Sequence, residues 1–241
     1  MTETAATFDL NKHTARLLMN EPFFAALSRR INKAATTAIP TAGVKVCKYT
    51  GQLEMIYNPE FFVKLTDVQK LGVLKHEFYH LVFGHVTGRL PGEGMSKKWN
   101  IATDLAINSH LQGELPEGCC MPGQAPFEYL PAFKSGEWYM ANLREPDQGE
   151  GEGEDGEGGE GGGEGSGSGW GEPLDDHSGW GEVPNDVKEI AKERLREAMK
   201  KAADEASQSG SWGSVSGECR KKIMDAIHPK IDWRKVLRYF V

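Results

Sequence analysis

Cysteine is scarce in this chain, and long apolar runs are missing. Its 241 residues include four cysteines, two of them adjacent at Cys119 and Cys120, and no Cys-x-x-Cys pair. This usage excludes a disulfide framework and a Cys-x-x-Cys metal site. Residues 1–10 contain no basic segment followed by an apolar run, and no stretch approaches membrane-spanning length. We therefore expect a cytoplasmic protein without membrane contact.

An excess of positive charge is also missing. The formal net charge is −7 at pH 7, which argues against a general nucleic-acid binder. Much of the negative charge lies in residues 148–171, which are almost wholly Gly, Glu and Ser. Such a segment buries too little apolar surface to offset its chain entropy, so we predict a disordered acidic linker. The alternative role for this segment is autoinhibition.

The rest of the sequence predicts an α+β fold that is mainly helical. Apolar spacing predicts helices at residues 11–33 with a break at Pro22, and at 66–84, 99–111, 135–143, 187–208, 218–227 and 233–240. Residues 34–42 are predicted to be a link. Alternating side chains predict strands at 44–49 and 53–57, which Thr50-Gly51 would join into a β-hairpin.

The helix that follows Thr66 has the clearest local signals. Thr66 and Gln69 fit a capping box, and Gly84 fits the end of the helix. Six apolar side chains recur on one face and predict a buried stripe: Val68, Leu71, Leu74, Phe78, Leu81 and Val82.

This helix contains a His-Glu-x-x-His motif, His76-Glu77-Phe78-Tyr79-His80. Residues four apart lie on one helix face, so both imidazoles can hold one metal ion, with Glu77 beside them. Apolar neighbours and the preceding hairpin favour a buried peptidase site, because zincin-type enzymes bind extended substrates along a strand above this helix. The alternative is two partly buried histidines with a structural role only.

A catalytic zinc ion needs a third protein ligand, and the candidates are Asp104 and His85. A metzincin would place Gly and His where this chain has Phe83 and Val86, so that class is excluded. Asp104 lies on the next predicted helix, with Asn108 four residues later on the same face. Burying an Asp is costly unless it has a partner, which favours Asp104 as the ligand and leaves His85 beside the ligands or near substrate. An Asp104 bonded to Arg or Lys is the alternative.

The stretch from His76 to His85, followed by Arg89 and the 99–108 helix, resembles the metallopeptidase domain that precedes a von Willebrand factor A-like domain in many bacterial and phage proteins. Further similarity lies in Glu21-Pro22-Phe23-Phe24, Asn58-Pro59, Asp175-Asp176-His177 with Trp180, and Asp232 to Leu237, where the A-like domain would begin. The resemblance implies a zincin-like core at 1–147, with a helical segment at 172–241 packed on it. It also implies a MoxR-type AAA+ ATPase as a partner.

His177 is a further candidate catalytic residue. A histidine brought over a zinc site can stabilise the oxyanion of a tetrahedral intermediate. The alternative is a loop histidine without a role, and Tyr139 is a weaker candidate for the same function.

Together these features predict a zinc-dependent metallopeptidase acting on a protein or peptide. His76, His80 and Asp104 would hold Zn²⁺, and Glu77 would be the general base for attack of water on the peptide bond. One alternative is a non-catalytic zinc-containing module that works with an AAA+ ATPase. Another is a zinc hydrolase for a small amide or a cell-wall peptide, which the missing export signal disfavours.

Overall fold

The computed structural model describes residues 8–89, 96–144, 180 and 183–228. The predicted acidic linker, His177 and the predicted helix at 233–240 lie outside these residues. Within the described ranges the fold is α+β, as predicted. The helices are α1 (Leu10–Leu17), α2 (Pro22–Ser28), α3 (Pro59–Phe62), α4 (Asp67–Val82), α5 (Lys97–Asn108), α6 (Gly136–Asn142), α7 (Asn185–Gln208) and α8 (Gly217–Ile227), and the strands are β1 (Asn32–Ala35), β2 (Ala42–Val46) and β3 (Leu53–Tyr57).

The three strands form one sheet in the order β1-β3-β2. The predicted hairpin is confirmed: β2 runs antiparallel to β3, with Val44 opposite Met55. The prediction of a helix end and a link for residues 32–35 is wrong, because β1 pairs in parallel with β3. Backbone pairing along β3 overrides the weak strand propensity of Asn-Lys-Ala-Ala.

Helix α4 is the central helix, and its start is the predicted capping box. The Gln69 N–H donates to Thr66 Oγ1 (3.3 Å), and the Thr66 N–H donates to Gln69 Oε1 (2.9 Å). Every residue from Gly72 to Val82 is buried. Val68 is an error in the predicted stripe, since it is 55% exposed on the first turn, before α4 enters the core.

The turn after α4 folds the chain back onto the helix. Gly84 has φ +73°, a left-handed conformation that suits glycine. The following N–H, of His85, donates to the His80 carbonyl at 3.0 Å. This places His85 against the last turn of α4.

Helix α5 begins at its Ser96 cap, whose side chain accepts from the Trp99 N–H at 3.1 Å. It packs with α6 around a second apolar core containing Trp99, Ile101, Ala102, Leu105, Ala106, Cys120, Phe127, Leu130, Tyr139 and Leu143. The opposite face of α5 directs Asp104 and Asn108, both fully buried, towards α4.

Helix α7 covers the hairpin and the N-terminal helices. Its Arg194 guanidinium donates to the Thr50 carbonyl in the β2–β3 turn (2.6 Å), and its Glu205 accepts from Arg30 (2.7 Å). Within the described ranges, no helix has the length and apolar character needed to cross a bilayer.

Candidate metal centre

Three buried side chains from two helices converge at one point. His76 and His80 lie one turn apart on α4, with their Nε2 atoms 3.0 Å from each other. Asp104 approaches from α5, with Oδ1 at 3.7 Å from His76 Nε2 and 3.4 Å from His80 Nε2. All three residues are 0% exposed, and one donor atom from each lies within 4.8 Å of the others. Two imidazoles and one carboxylate in this arrangement can hold a metal ion.

The tautomer of His76 is determined by Asn108, the last residue of α5. His76 Nδ1 is 2.8 Å from Asn108 Oδ1, and the Asn108 amide nitrogen donates to the Cys120 carbonyl at 2.7 Å. Because that second bond requires the NH₂ group to face Cys120, the amide oxygen faces His76. His76 therefore donates from Nδ1, and its Nε2 lone pair points towards Asp104.

His80 has a comparable contact at Nδ1, the ring nitrogen that faces away from Asp104. Its Nδ1 lies 3.1 Å from His85 Nδ1, and two nitrogens at this distance share one proton. With that proton on His80 Nδ1, His85 accepts and His80 Nε2 presents a lone pair. Contacts of this kind between a ligand histidine and a second polar group are usual around metal sites, where they fix ring orientation.

Glu77 is the middle residue of the motif and is 0% exposed. It follows His76 directly on α4, inside the buried part of the helix. A carboxylate withdrawn from water is costly, so its burial beside two histidines is typical of a functional site rather than of a structural helix.

The structure brings together three of the predicted site residues and places others elsewhere. His85, the alternative third ligand, contacts the far nitrogen of His80 instead of the point where the three donor atoms meet. The Tyr139 hydroxyl donates to the Pro131 carbonyl (2.7 Å), and burial raises the pKa of this phenol, so it stays protonated. His177 lies outside the described residues.

Two neighbours of the centre received no role from the sequence. Asn108 orients His76, and its spacing of four from Asp104 was the signal that could have identified it. Trp180 packs edge-on against His80, with ring centroids 5.1 Å apart. It lies a hundred positions from the motif in the chain, so no local pattern links the two.

The sequence is similar to that of a described protein family and of one curated protein. The model of a family described as "Putative metallopeptidase domain" matches residues 6–241. An uncharacterized protein of Thermotoga maritima is 25% identical over 209 residues, which cover 79% of this chain and 48% of that protein. The chain thus spans about half the length of this curated relative. No solved structure matches significantly. Because the family model covers nearly the whole chain and the structure assembles a metal-binding set at the motif, this chain belongs to that metallopeptidase-domain family.

Proposed function

We propose that this chain is a zinc-dependent, zincin-like peptidase that hydrolyses a peptide bond in a protein or peptide substrate. His76, His80 and Asp104 hold Zn²⁺ in this proposal, and Glu77 is the general base. The observation that supports it most directly is the convergence of two Nε2 lone pairs and one carboxylate oxygen in a buried site.

The donor set favours zinc over calcium or magnesium. Imidazole suits zinc, whereas calcium and magnesium take oxygen ligands almost alone. Tetrahedral zinc with Zn–N bonds of about 2.0–2.1 Å places two nitrogens roughly 3.3 Å apart. The Nε2 atoms of His76 and His80 lie 3.0 Å apart, close to that requirement. Three protein ligands would leave a fourth position for water, as in catalytic zinc sites.

In the proposed reaction, a zinc ion in this site would act as a Lewis acid on water and on the scissile carbonyl. Glu77 takes a proton from the attacking water and delivers it to the leaving amine. Asn108 holds His76 in the tautomer that presents Nε2, and His85 does the same for His80 when it accepts the proton that the two rings share. Burial of all four motif and ligand residues keeps bulk water from competing for these groups.

The test combines zinc content with cleavage of an unfolded protein substrate such as reduced, alkylated casein. Wild type is compared with Glu77→Gln, His80→Ala and Asp104→Asn. Exposed Glu60→Gln and His228→Ala are the matched controls, since they make the same chemical changes away from α4. Circular dichroism and thermal unfolding verify that each variant folds.

We expect Glu77→Gln to retain zinc and lose cleavage by about 10²-fold or more, the typical contribution of a general base. His80→Ala and Asp104→Asn should lose both. Cleavage at the wild-type rate by Glu77→Gln would exclude the assigned base, and full zinc content in Asp104→Asn would exclude that ligand. Stoichiometric zinc in a protein that cleaves casein neither as the wild type nor after Trp180→Ala would favour the non-catalytic module instead. A MoxR-type ATPase partner stays a prediction from the sequence resemblance.

A further inference from the structure

Trp180 connects the sheet to the metal centre. Its indole N–H donates to the Val44 carbonyl of β2 at 2.6 Å, while its ring packs edge-on against His80 at 5.1 Å between centroids, with a 66° angle between the planes. The side chain is 2% exposed. One indole therefore fills the space between β2 and the motif end of α4.

The Val44 carbonyl that accepts from Trp180 lies on the edge of β2 that faces away from β3. The Cys47 N–H donates to Gln52 O (2.8 Å), and the Asn58 N–H donates to Thr41 O (2.7 Å), so the odd-numbered residues of this strand bond to β3. In an antiparallel ladder the alternate residues direct their backbone groups to the other side. The groups of Ala42, Val44 and Val46 thus face away from β3, at an edge that no described strand covers.

Val183, three residues after Trp180, also lies beside β2. Val183 is 7% exposed and lines the same small cavity as Val46 and Cys47. Helix α7 begins two residues later, and its Ile190 packs against Gly51 in the hairpin turn, where an added Cβ would lie 3.1 Å from Ile190 Cγ2. Trp180 is thus attached to an element that is itself anchored on the hairpin.

We propose that Trp180 blocks the edge of β2 on which an extended substrate would bind. In this position it keeps the proposed active site latent. A polypeptide that added to β2 as a strand would need the Val44 carbonyl and the space over His80. Both are occupied by the indole, so cleavage requires Trp180 to leave. This inference rests on the proposed peptidase function.

The first test is a steady-state comparison of wild type, Trp180→Phe and Trp180→Ala on reduced, alkylated casein. Phe keeps a ring but loses the donor to Val44, whereas Ala removes the occupant. We expect kcat/KM to rise in the order wild type, Phe, Ala, by about tenfold or more for Ala, because apparent affinity scales with the fraction of molecules in the competent state. Trp212→Phe and Trp212→Ala are matched controls: Trp212 is also buried, but it stacks on Phe23 and Arg220.

The second test does not depend on activity. The rate of zinc transfer to the chelator pyridylazoresorcinol is measured for the same Trp180 and Trp212 variants in a Glu77→Gln background. Removing the cover from His80 should accelerate zinc loss in Trp180→Ala and leave the rate unchanged in Trp212→Ala. If Trp180→Ala does not fold, as judged by circular dichroism, Trp180→Phe decides both tests.

The two proposals fail in different ways. If no variant cleaves casein, the peptidase function is refuted. If the zinc-transfer rate is also the same in all variants, the proposal that the Trp180 ring covers His80 is refuted as well. If the wild type cleaves as fast as folded Trp180→Phe and Trp180→Ala, latency is overturned while the peptidase function stands. The proposal that Trp180 blocks the β2 edge is supported if the Trp180 variants, and not the Trp212 variants, show both faster cleavage and faster zinc transfer.

Discussion

The proton on His76 is placed by a single amide side chain. Asn108 accepts from His76 and donates to the Cys120 carbonyl, so its orientation cannot reverse without losing both bonds. The imidazole therefore presents Nε2 to the centre before any ligand arrives. Preorganisation of this kind raises metal affinity, because ring orientation and tautomer need not be selected during binding.

Asn108→Ala should weaken metal binding without abolishing it. The substitution removes the acceptor on His76 and leaves the Cys120 carbonyl without this donor. Loss of such a supporting contact costs about 10–100-fold in metal affinity. Competition titration with a zinc chelator measures the change in dissociation constant.

Asn58→Ala is the matched control for that measurement, since Asn58 is also buried and its amide also donates to a backbone carbonyl (Ile39, 2.9 Å), but it lies before α3 rather than on α5. Its dissociation constant should remain near the wild-type value. Equal affinities for Asn108→Ala and wild type would show that the amide does not support the metal ligands.

The three residues that converge between α4 and α5 could be predicted from the sequence, but the contacts that orient them could be predicted only in part. The spacing of His76 and His80 follows from helix geometry, and the buried position of Asp104 from its apolar neighbours. The contact between His85 and His80 depends on the left-handed Gly84, whose φ the sequence allows but does not require. The contact of Trp180 depends on packing between segments far apart in the chain, which periodicity does not encode.

Elements with strong local signals were predicted well, and those formed by pairing were not. Helix α4 begins at its predicted capping box, and α5, α6, α7 and α8 lie within a few residues of their predicted bounds. Strand β1 was missed because its sequence favours a helix or a link in isolation, and only the β3 edge stabilises it as a strand. Val68 fits the helical period, but it is exposed because it lies on the first turn of α4, before the helix enters the core.

Close packing of α4 against the loop after α5 depends on Gly72. A Cβ at this position would lie 2.1 Å from the Glu114 carbonyl oxygen, far inside contact distance. Glycine in a helix ordinarily costs about 1 kcal/mol relative to alanine, so Gly→Ala usually stabilises. At Gly72 we expect the substitution to destabilise the protein instead, because the atom that the added Cβ would meet belongs to the backbone and cannot move aside easily.

Gly72→Ala should therefore lower the free energy of unfolding by about 1–3 kcal/mol, the usual range for overpacking. Urea denaturation followed by circular dichroism gives the value. Gly217→Ala is the control: Gly217 is in the first turn of α8 with no atom near its added Cβ, so that variant should be neutral or slightly more stable. A stabilised Gly72→Ala would contradict the close approach.

Three segments that are far apart in the sequence meet around Lys75, a buried lysine directly before the motif. Lys75 is 1% exposed and forms ion pairs with Glu21 (3.7 Å) and with Glu114. It also donates to Ser214 Oγ (3.1 Å), and the Ser214 N–H donates to Glu21 (2.8 Å). The helix that contains the motif is thus held by the N-cap residue of α2, by the loop after α5 and by the turn before α8, so these segments must fold together to position His76 and His80.

Metal binding should in turn stabilise the whole molecule, because His76, His80 and Asp104 converge only in the folded chain. A ligand that binds the native state alone, at about 1,000 times its dissociation constant, adds about 4 kcal/mol to the free energy of unfolding. For a chain of this length that amounts to roughly 8–16 °C in Tm. Differential scanning calorimetry of the zinc-loaded protein before and after treatment with EDTA measures the shift.

Asp104→Asn provides the decisive comparison for this measurement. It keeps the size and burial of the side chain but replaces an anionic oxygen ligand with a weak neutral one. Its Tm should change little on treatment with EDTA, and re-addition of zinc should restore the Tm of the wild type only. An equal EDTA effect on both proteins would mean that zinc stabilises the fold from a different site, whereas a shift confined to the wild type ties the stability of the unit to the three residues that meet between α4 and α5.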